Sequence, residues 1–314
     1  MIYIIVLNWN GASDTLACLG SLKNLLPVSQ PHSIVVCDNG STDDSLRRIT
    51  AYIQESEVSN LTLVRSESNL GFAGGMNLGM RHALADPDTE FLWLLNNDTV
   101  VEPAALRHLV EKMQNTPDIG MCGSTLLYFE QPDVIQAVGG RFNSWLAVSR
   151  HVLGHEPYSP TLCDTVDERT LDYVVGASLF VRRSVVDRIG LLAEDYFLYC
   201  EEIDWATRMK RLIPYYRIGY EPQSRVWHKE GAATGANELA GKTYSYFSDF
   251  FFITSRLRFS RRFYPWCYPV VRLSMLLVAL NRVRRRQYRS ALLAVCALFV
   301  GVPEFMDPRL IKSP

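Results

Sequence analysis

Leu94-Leu95-Asn96-Asn97-Asp98-Thr99-Val100-Val101 is an apolar strand that runs into an amide and a carboxylate. Such residues at the end of a hydrophobic strand sit where an open α/β sheet presents its ligands, outside the carboxyl ends of the strands. A second cluster follows about a hundred residues later, Phe197-Leu198-Tyr199-Cys200-Glu201-Glu202-Ile203-Asp204-Trp205, with Arg208 just beyond. One cluster can hold a hard cation on a diphosphate while the other removes a proton. Together they suit transfer of a group from an activated phosphate donor. Taken singly, each has a plainer reading. Asn and Asp bond their own backbone at a strand-to-turn junction, and acids are favoured in a helix's first turn by the macrodipole.

Outward from Leu94 the pattern alternates. Strands are expected over Tyr3–Leu7, Ser33–Cys37, Leu61–Arg65 and Phe91–Leu95. Helices are expected over Asp14–Leu25, Thr42–Gln54, Gly71–Leu84 and Pro103–Met113, the last opening on a proline. Strands alternating with helices imply a mostly parallel sheet. After Gly120 the chain becomes strand- and loop-rich through Tyr173–Val181, then helical at Ser184–Ile189, Ile203–Leu212 and near Tyr244–Phe259. Three segments close strands in the first half: Asn8-Trp9-Asn10-Gly11, Asp38-Asn39-Gly40-Ser41-Thr42-Asp43, and Asn69 through Gly79. Glycines at such junctions let backbone N–H groups approach a phosphate at a helix N-terminus. The pattern is not the dinucleotide fingerprint, whose glycines follow strand one, so a dehydrogenase fits poorly.

With 314 residues, 48% of them hydrophobic, the chain suits a large α/β unit plus an appendage. The seven cysteines are scattered without metal-type spacing, as expected of reduced, mostly buried thiols in a cytoplasmic protein. Ile2–Leu7 is too short for a signal peptide and reads as the first buried strand. A net charge of −1 hides an asymmetry: residues 1–249 carry −11 and residues 250–314 carry +10. Residues 250–303 hold ten arginines and no acid. Their apolar stretches, Val270–Leu280 and Ala291–Val302, are each about a dozen residues, short of the ~20 that span a bilayer. Arginines beside apolar helices with Tyr264, Trp266 and Tyr268 favour a segment lying in an anionic membrane interface. A dimerisation element and true insertion stand as the alternatives. A nucleic-acid arm would have no need of the aliphatic runs.

Asn8–Gly11, Asp38–Asp43, Asn69–Gly79, Asn96–Thr99 and Glu201–Asp204 occur in the order and spacing of family 2 glycosyltransferases, and the chain resembles the bacterial rhamnosyltransferase-like branch. The resemblance implies a GT-A fold over residues 1–260, with a nucleotide-binding half (1–115) and an acceptor half (116–260), followed by a basic, apolar helical tail (261–314). By this resemblance Asp38 contacts the nucleoside base, while Leu7, Asn8 and Asn10 line the same pocket. Gly71, Gly74 and Asn77 lie beside the diphosphate. Asn96, Asn97 and Asp98 fall on the Asp-x-Asp motif, so that Asp98, with His228, holds Mg²⁺ or Mn²⁺. Glu202 is the base, and Glu201, Asp204 and Arg208 support it. Arg256 is a candidate for acceptor or phosphate contact.

The chain departs from the family pattern in three places. Asn96 replaces an aspartate, and a neutral amide binds a hard cation more weakly. Glu202 stands where relatives usually have Asp. In Phe250–Arg256 only Arg256 keeps the charge of the Tyr-Tyr-x-x-Arg-Asn-Arg segment. The resemblance implies inversion at the anomeric carbon, with Glu202 taking the acceptor proton. The expected donor is dTDP-rhamnose, with UDP-hexose or UDP-galactofuranose as alternatives. The expected acceptor is a glycan or lipid-linked saccharide at the inner face of the cell membrane. A non-catalytic nucleotide-sugar-binding homologue and a nucleotidyltransferase are the rivals; the second would want Lys or Arg in a Gly-rich loop after strand one, and Asn8–Ser13 has neither.

Overall fold

The computed structural model describes residues 1–56, 60–229 and 245–299, with 302, 306, 307 and 309. They divide into two compact units. The first contains Met1–Arg141, Arg150–Asp195 and the described residues of 201–233. The second contains Phe142–Ser149, Tyr196–Cys200 and the described residues of 234–314.

The first unit opens with β1 (Ile2–Asn8), α1 (Ala12–Leu22), β2 (His32–Asn39), α2 (Ser45–Glu55), β3 (Leu61–Ser66), α3 (Gly71–Leu84) and β4 (Phe91–Asn96). It continues through β5 (Thr99–Val101), α4 (Ala105–Asn115), β6 (Ile119–Tyr128) and β7 (Ile135–Ala137); β8 (Gly140–Asn143) and β9 (Val148–His151) each fall partly in either unit, and α5 (Pro160–Asp164) returns to the first. Then come β10 (Ser178–Arg182), α6 (Arg183–Ile189), α7 (Glu201–Leu212) and β11 (Arg217–His228). Nine strands form one sheet in the order β3-β2-β1-β4-β10-β6-β11-β5, with β7 beside β6. It is parallel from β3 to β4. Beyond β4 it is mixed, because β10 runs antiparallel to both β4 and β6.

Helices on both faces explain why β1 reads as an unbroken apolar run. Ile2, Ile4 and Val6 share a core with Leu19, Leu22, Ile49, Leu106 and Leu109 of α1, α2 and α4. On the other face α3 comes close: a Cβ on Gly75 would lie 2.4 Å from Leu7 Cδ1. The strand order reverses at β1, which has β2 on one side and β4 on the other. Asn8 therefore pairs with Asp38, and Leu7 with both Cys37 and Asn96, at the carboxyl ends of the central strands. An open sheet binds its ligand at such a switch point.

Most expected elements are present, with shifted ends. α2 begins at Ser45 rather than Thr42 because side chains hold the preceding turn. Asn10 Oδ1 accepts from Thr42 N at 2.8 Å, and Asp43 Oδ1 accepts from Ser45 N at 2.9 Å. α7 starts at Glu201, two residues before the expected Ile203, and β10 starts at Ser178 rather than Tyr173. β11 is a twelve-residue strand that ends on His228. Its parallel pairing with β6 shifts register between Glu221 and Arg225, around Pro222, which cannot donate to the ladder.

The second unit holds α8 (Tyr246–Phe263), α9 (Tyr268–Leu273), α10 (Met275–Arg284) and α11 (Tyr288–Phe299). Phe250, Phe251, Ile253 and Leu257 of α8 share one core with Val271, Met275, Leu293, Ala294 and Ala297. α8 thus packs with the tail helices that follow it. No helix among the described residues is long and apolar enough to cross a membrane.

Candidate active site

The ends of β1 and β2 form a buried polar network. Asp38 is fully buried; its Oδ1 accepts from Asn8 Nδ2 at 2.9 Å and its Oδ2 from Ser41 N at 3.4 Å. Thr15 donates to Asn8 Oδ1 at 2.7 Å, and Asn10, in the left-handed region at φ 51°, receives Thr42 N. Asn97 Nδ2 donates to Gly11 O and Thr15 Oγ1. Leu7, Asn8, Asn10, Asp38 and Asn97 are therefore brought together, tied by Thr15 and Ser41.

Asn39 does work that the sequence reading did not assign. Its Oδ1 accepts from Leu70 N and its Nδ2 donates to Gly71 O, both at 3.0 Å, which fixes the entry to α3. Gly71 sits at φ 76°, open to glycine without steric cost. Gly74 is buried, but its missing Cβ makes room only for Leu70. The Asn77 amide is engaged elsewhere: it exchanges hydrogen bonds with the Leu192 backbone and donates to Glu194 Oε1 at 2.9 Å. Here it clamps the 192–194 segment to α3.

At the end of β4 three candidate ligands converge. His228 Nε2 lies 3.1 Å from Asp98 Oδ1 and 3.3 Å from the Asn96 amide nitrogen. Asp98 and His228 are buried, and the buried Asn96 Oδ1 finds no hydrogen-bond partner among the described residues. β5 and β11 pair Thr99 with His228, which brings the residue after Asp98 beside the histidine. His228 Nδ1 faces Gln136 Oε1 of β7 at 2.8 Å. The described residues contain no group of three or more His, Cys, Asp and Glu that could hold a metal ion. The set fits a divalent cation nonetheless: a carboxylate, an imidazole nitrogen and an orphaned amide oxygen are its ordinary donors.

The carboxylate pair opens α7. Glu201 is buried and Glu202 half-buried, and Oε2 of each lacks a hydrogen-bond partner among the described residues. Burial pushes the Glu202 carboxyl up to about 7. Burial, then the neighbouring Glu202 and Asp204 charges, raise Glu201 well above its ordinary value. Tyr199 and Cys200, immediately before, are both left-handed at φ 68° and 71°; such strain in non-glycine residues clusters at functional sites. Asp204 and Arg208 secure the helix. Arg208 Nε donates to the fully buried Asp204 at 2.6 Å, and its guanidinium also binds the Ile189 and Leu191 carbonyls. Trp205 Nε1 donates to Gly190 O at 2.8 Å.

Arg256 lies in the second unit, where it is buried. It donates to the Leu146 carbonyl and to Ser274 Oγ, and burial lowers it to about 10. Its present partners are internal ones.

The sequence pattern of the family "Glycosyl transferase family 2" matches residues 3–190, which takes in Asp38, Asn96 and Asp98 and stops before Glu201 and His228. Over 212 residues the chain is 26% identical to the low-salt glycan biosynthesis hexosyltransferase Agl10 of Haloferax volcanii, covering 66% of this chain and 61% of that one. Over 254 residues it is 25% identical to the N-acetylglucosaminyl-diphospho-decaprenol L-rhamnosyltransferase of Mycobacterium tuberculosis, covering 74% and 77%. Among solved structures, GalNAc-T7 with UDP, GalNAc and Mn²⁺ superposes with a TM-score of 0.59 at 16% identity, over 73% of this chain and 43% of that one. The mannosyltransferase PcManGT of Pyrobaculum calidifontis, in complex with GDP-Man and Mn²⁺, gives 0.55 at 14% identity, over 95% and 87%. These likenesses concern the fold, which is the GT-A type. The mixed sheet, the polar switch point and the match over most of the chain's length lead to one conclusion: the chain belongs to glycosyl transferase family 2.

Proposed function

We propose that the chain is an inverting, divalent-cation-dependent hexosyltransferase. It moves a sugar, with rhamnose from dTDP-rhamnose as the leading candidate, onto a glycan or lipid-linked saccharide in cell-surface polysaccharide synthesis. The convergence of Asn96, Asp98 and His228 at the switch point carries this reading. Asp98 and His228 would hold the cation, with the Asn96 amide oxygen as a weaker third donor. A cation held there supplies Lewis-acid neutralisation of charge on a leaving nucleoside diphosphate. Glu202 takes the acceptor's proton, and Asp204 with Arg208 keeps the first turn of α7 in place. The mycobacterial relative's name supports rhamnose and a lipid-linked acceptor; the haloarchaeal relative's name keeps other hexoses in play.

Ligand bound only by the folded state raises the melting temperature, by about 2.7 kcal/mol of stability at a hundredfold excess over Kd. A screen of nucleotide sugars with Mn²⁺ should single out one donor, dTDP-rhamnose on the leading reading. Stabilisation by a UDP-hexose or UDP-galactofuranose instead would change the sugar and keep the chemistry. Pyrophosphate release from a nucleoside triphosphate would replace the reading with nucleotidyl transfer.

The second unit supports attachment to an anionic membrane. Leu273, Leu276, Leu277, Leu280 and Val283 form an exposed stripe at helical spacing along α9 and α10, and Leu292, Val295 and Phe299 form another on α11. Trp266 is 70% exposed, and Arg284, Arg285 and Arg286 all face solvent. Two of the ten arginines are spent inside the fold: Arg256, and Arg282, which pairs with the buried Asp249 at 2.6 Å. Each basic residue near the surface contributes ~1 kcal/mol, within a Debye length. Flotation with phosphatidylserine vesicles is expected for the whole chain, weakening with salt and leaving a salt-resistant fraction. Changing Arg284, Arg285 and Arg286 to Glu should abolish it at low salt. Equal flotation of the two proteins, or none with the wild type, would leave the stripes to dimerisation.

A further inference from the structure

Gln136 is a buried polar side chain, 3% exposed, on the three-residue strand β7 between Ile135 and Ala137, both fully buried. Its Oε1 lies 2.8 Å from His228 Nδ1. A carbonyl oxygen only accepts, so this contact places a proton on Nδ1, and in the neutral ring the Nε2 lone pair is then directed at Asp98 and Asn96. Which ring nitrogen a histidine offers is set by the hydrogen bond its other nitrogen makes. In that neutral ring Nε2 and Asp98 Oδ1, 3.1 Å apart, face one another as two electron-pair donors, whereas a proton on Nε2 would make the contact a hydrogen bond. A cation between them relieves that opposition.

We propose that Gln136 is the positioning residue of the site: it fixes the His228 ring as the Nδ1–H tautomer and so presents Nε2 as a ligand. This rests on the divalent-cation reading above. β7 pairs with β6 through Ile135 and Ala137, with a register shift that falls at Gln136 between them, and β6 pairs with β11 as far as His228. The glutamine is thus held by the same sheet that places the histidine, which keeps both ends of the contact rigid. Partners of this kind orient the ligand and raise its basicity, and losing one weakens metal binding about 10–100-fold.

Two measurements test the role. Calorimetric titration with Mn²⁺, alone and with UDP or dTDP, should show Gln136→Leu binding the ion about 10–100-fold more weakly than wild type. Gln136→Glu, which keeps an acceptor at the same reach, should restore it. Nitrogen-15 NMR of the neutral ring should show the Nδ1–H form of His228 in the metal-free wild type and in Gln136→Glu, but not in Gln136→Leu. An Nε2–H ring in the wild type, or equal Mn²⁺ affinity in a folded Gln136→Leu, would overturn the proposal. A wild type that binds no Mn²⁺ while its His228 keeps the Nδ1–H form would instead defeat the divalent-cation reading. The NMR result reads the ring itself, so the two failures are told apart.

Discussion

Changing Glu202 to glutamine is expected to cut turnover about 10²–10⁴-fold, the usual contribution of a positioned acid–base group, while nucleotide binding persists. The substitution keeps size and shape, and Glu202 Oε2 gives up no hydrogen bond to any described residue. The fold should therefore survive and the loss should fall on kcat. A carboxyl raised to about 7 is matched to work near neutrality, where it is both a stronger base than an ordinary glutamate and still substantially ionised. Activity should accordingly rise with pH through about 7 and then level, since only the carboxylate accepts a proton. Stability moves the other way. The folded state holds this proton more tightly than the unfolded chain, whose ordinary value is 4.5, so folding free energy declines as pH rises from 4.5 toward about 7. Opposed slopes for kcat and for melting temperature across that window would mark this carboxylate pair. Near-wild-type turnover in Glu202→Gln would move the base to the adjacent Glu201, whose buried Oε2 likewise lacks a hydrogen-bond partner among the described residues. Asp204 is a poorer substitute, because Arg208 already holds it.

What could be read from the sequence, and what could not, follows from how local the signals are. The β1-to-β4 half was legible because β1, β2 and β4 carry apolar runs buried on both faces, and a helix follows each of β1, β2 and β3 within a few residues. Asn96, Asp98 and Asp38 could be placed at strand ends for the same reason: a polar residue directly after such a run has few places to go but the strand end. β11 was obscured because Arg217, Glu221 and Arg225 break its pattern, and their charges are met only in three dimensions. Arg217 pairs with Asp118 and Glu168, and Arg225 with Glu102. Asn77 lies in the Asn69–Gly79 segment that the family resemblance implies is beside the diphosphate, yet its amide meets Leu192 and Glu194, more than a hundred residues away. No local pattern encodes that contact. Gln136 and Asn39 were missed on the same account, since a lone buried amide is recognisable only once its partner is known. A glutamine inside the apolar Ile135-Gln136-Ala137 strand was the one available hint. Arg256 shows the converse: a charge retained from a family segment is here bonded to a backbone carbonyl and a serine.

Asp98→Ala is expected to remove metal-dependent donor binding and to lower kcat/KM by roughly 10³-fold. A bound ion's Lewis-acid stabilisation is worth several kcal/mol, and each ~1.4 kcal/mol is tenfold in rate. Asp98 bears more of this than it would in an Asp-x-Asp site. Its partner Asn96 is neutral, so among the three converging side chains Asp98 supplies the only full negative charge. The variant should nevertheless fold, since the backbone bond from Lys229 N to the Asp98 carbonyl, 3.0 Å, does not involve the side chain. The diagnostic comparison is the rise in melting temperature that nucleotide produces with and without Mn²⁺. Wild type should show a clear increment from the ion, Asp98→Ala none, and His228→Ala a reduced one. His228 is neutral as a ligand, so its loss removes a donor without changing the charge of the site. Equal increments in His228→Ala and wild type would make the histidine a packing residue and leave Asp98 to hold the ion without it. A full increment in Asp98→Ala would place the cation away from the end of β4 altogether. That outcome would detach the most telling geometry of the chain from its chemistry, because the 3.1 Å approach of Asp98 to His228 would then have to be a buried ion pair with a protonated ring. The salt and metal dependence of nucleotide binding separates these cases directly, since a structural pair answers to neither.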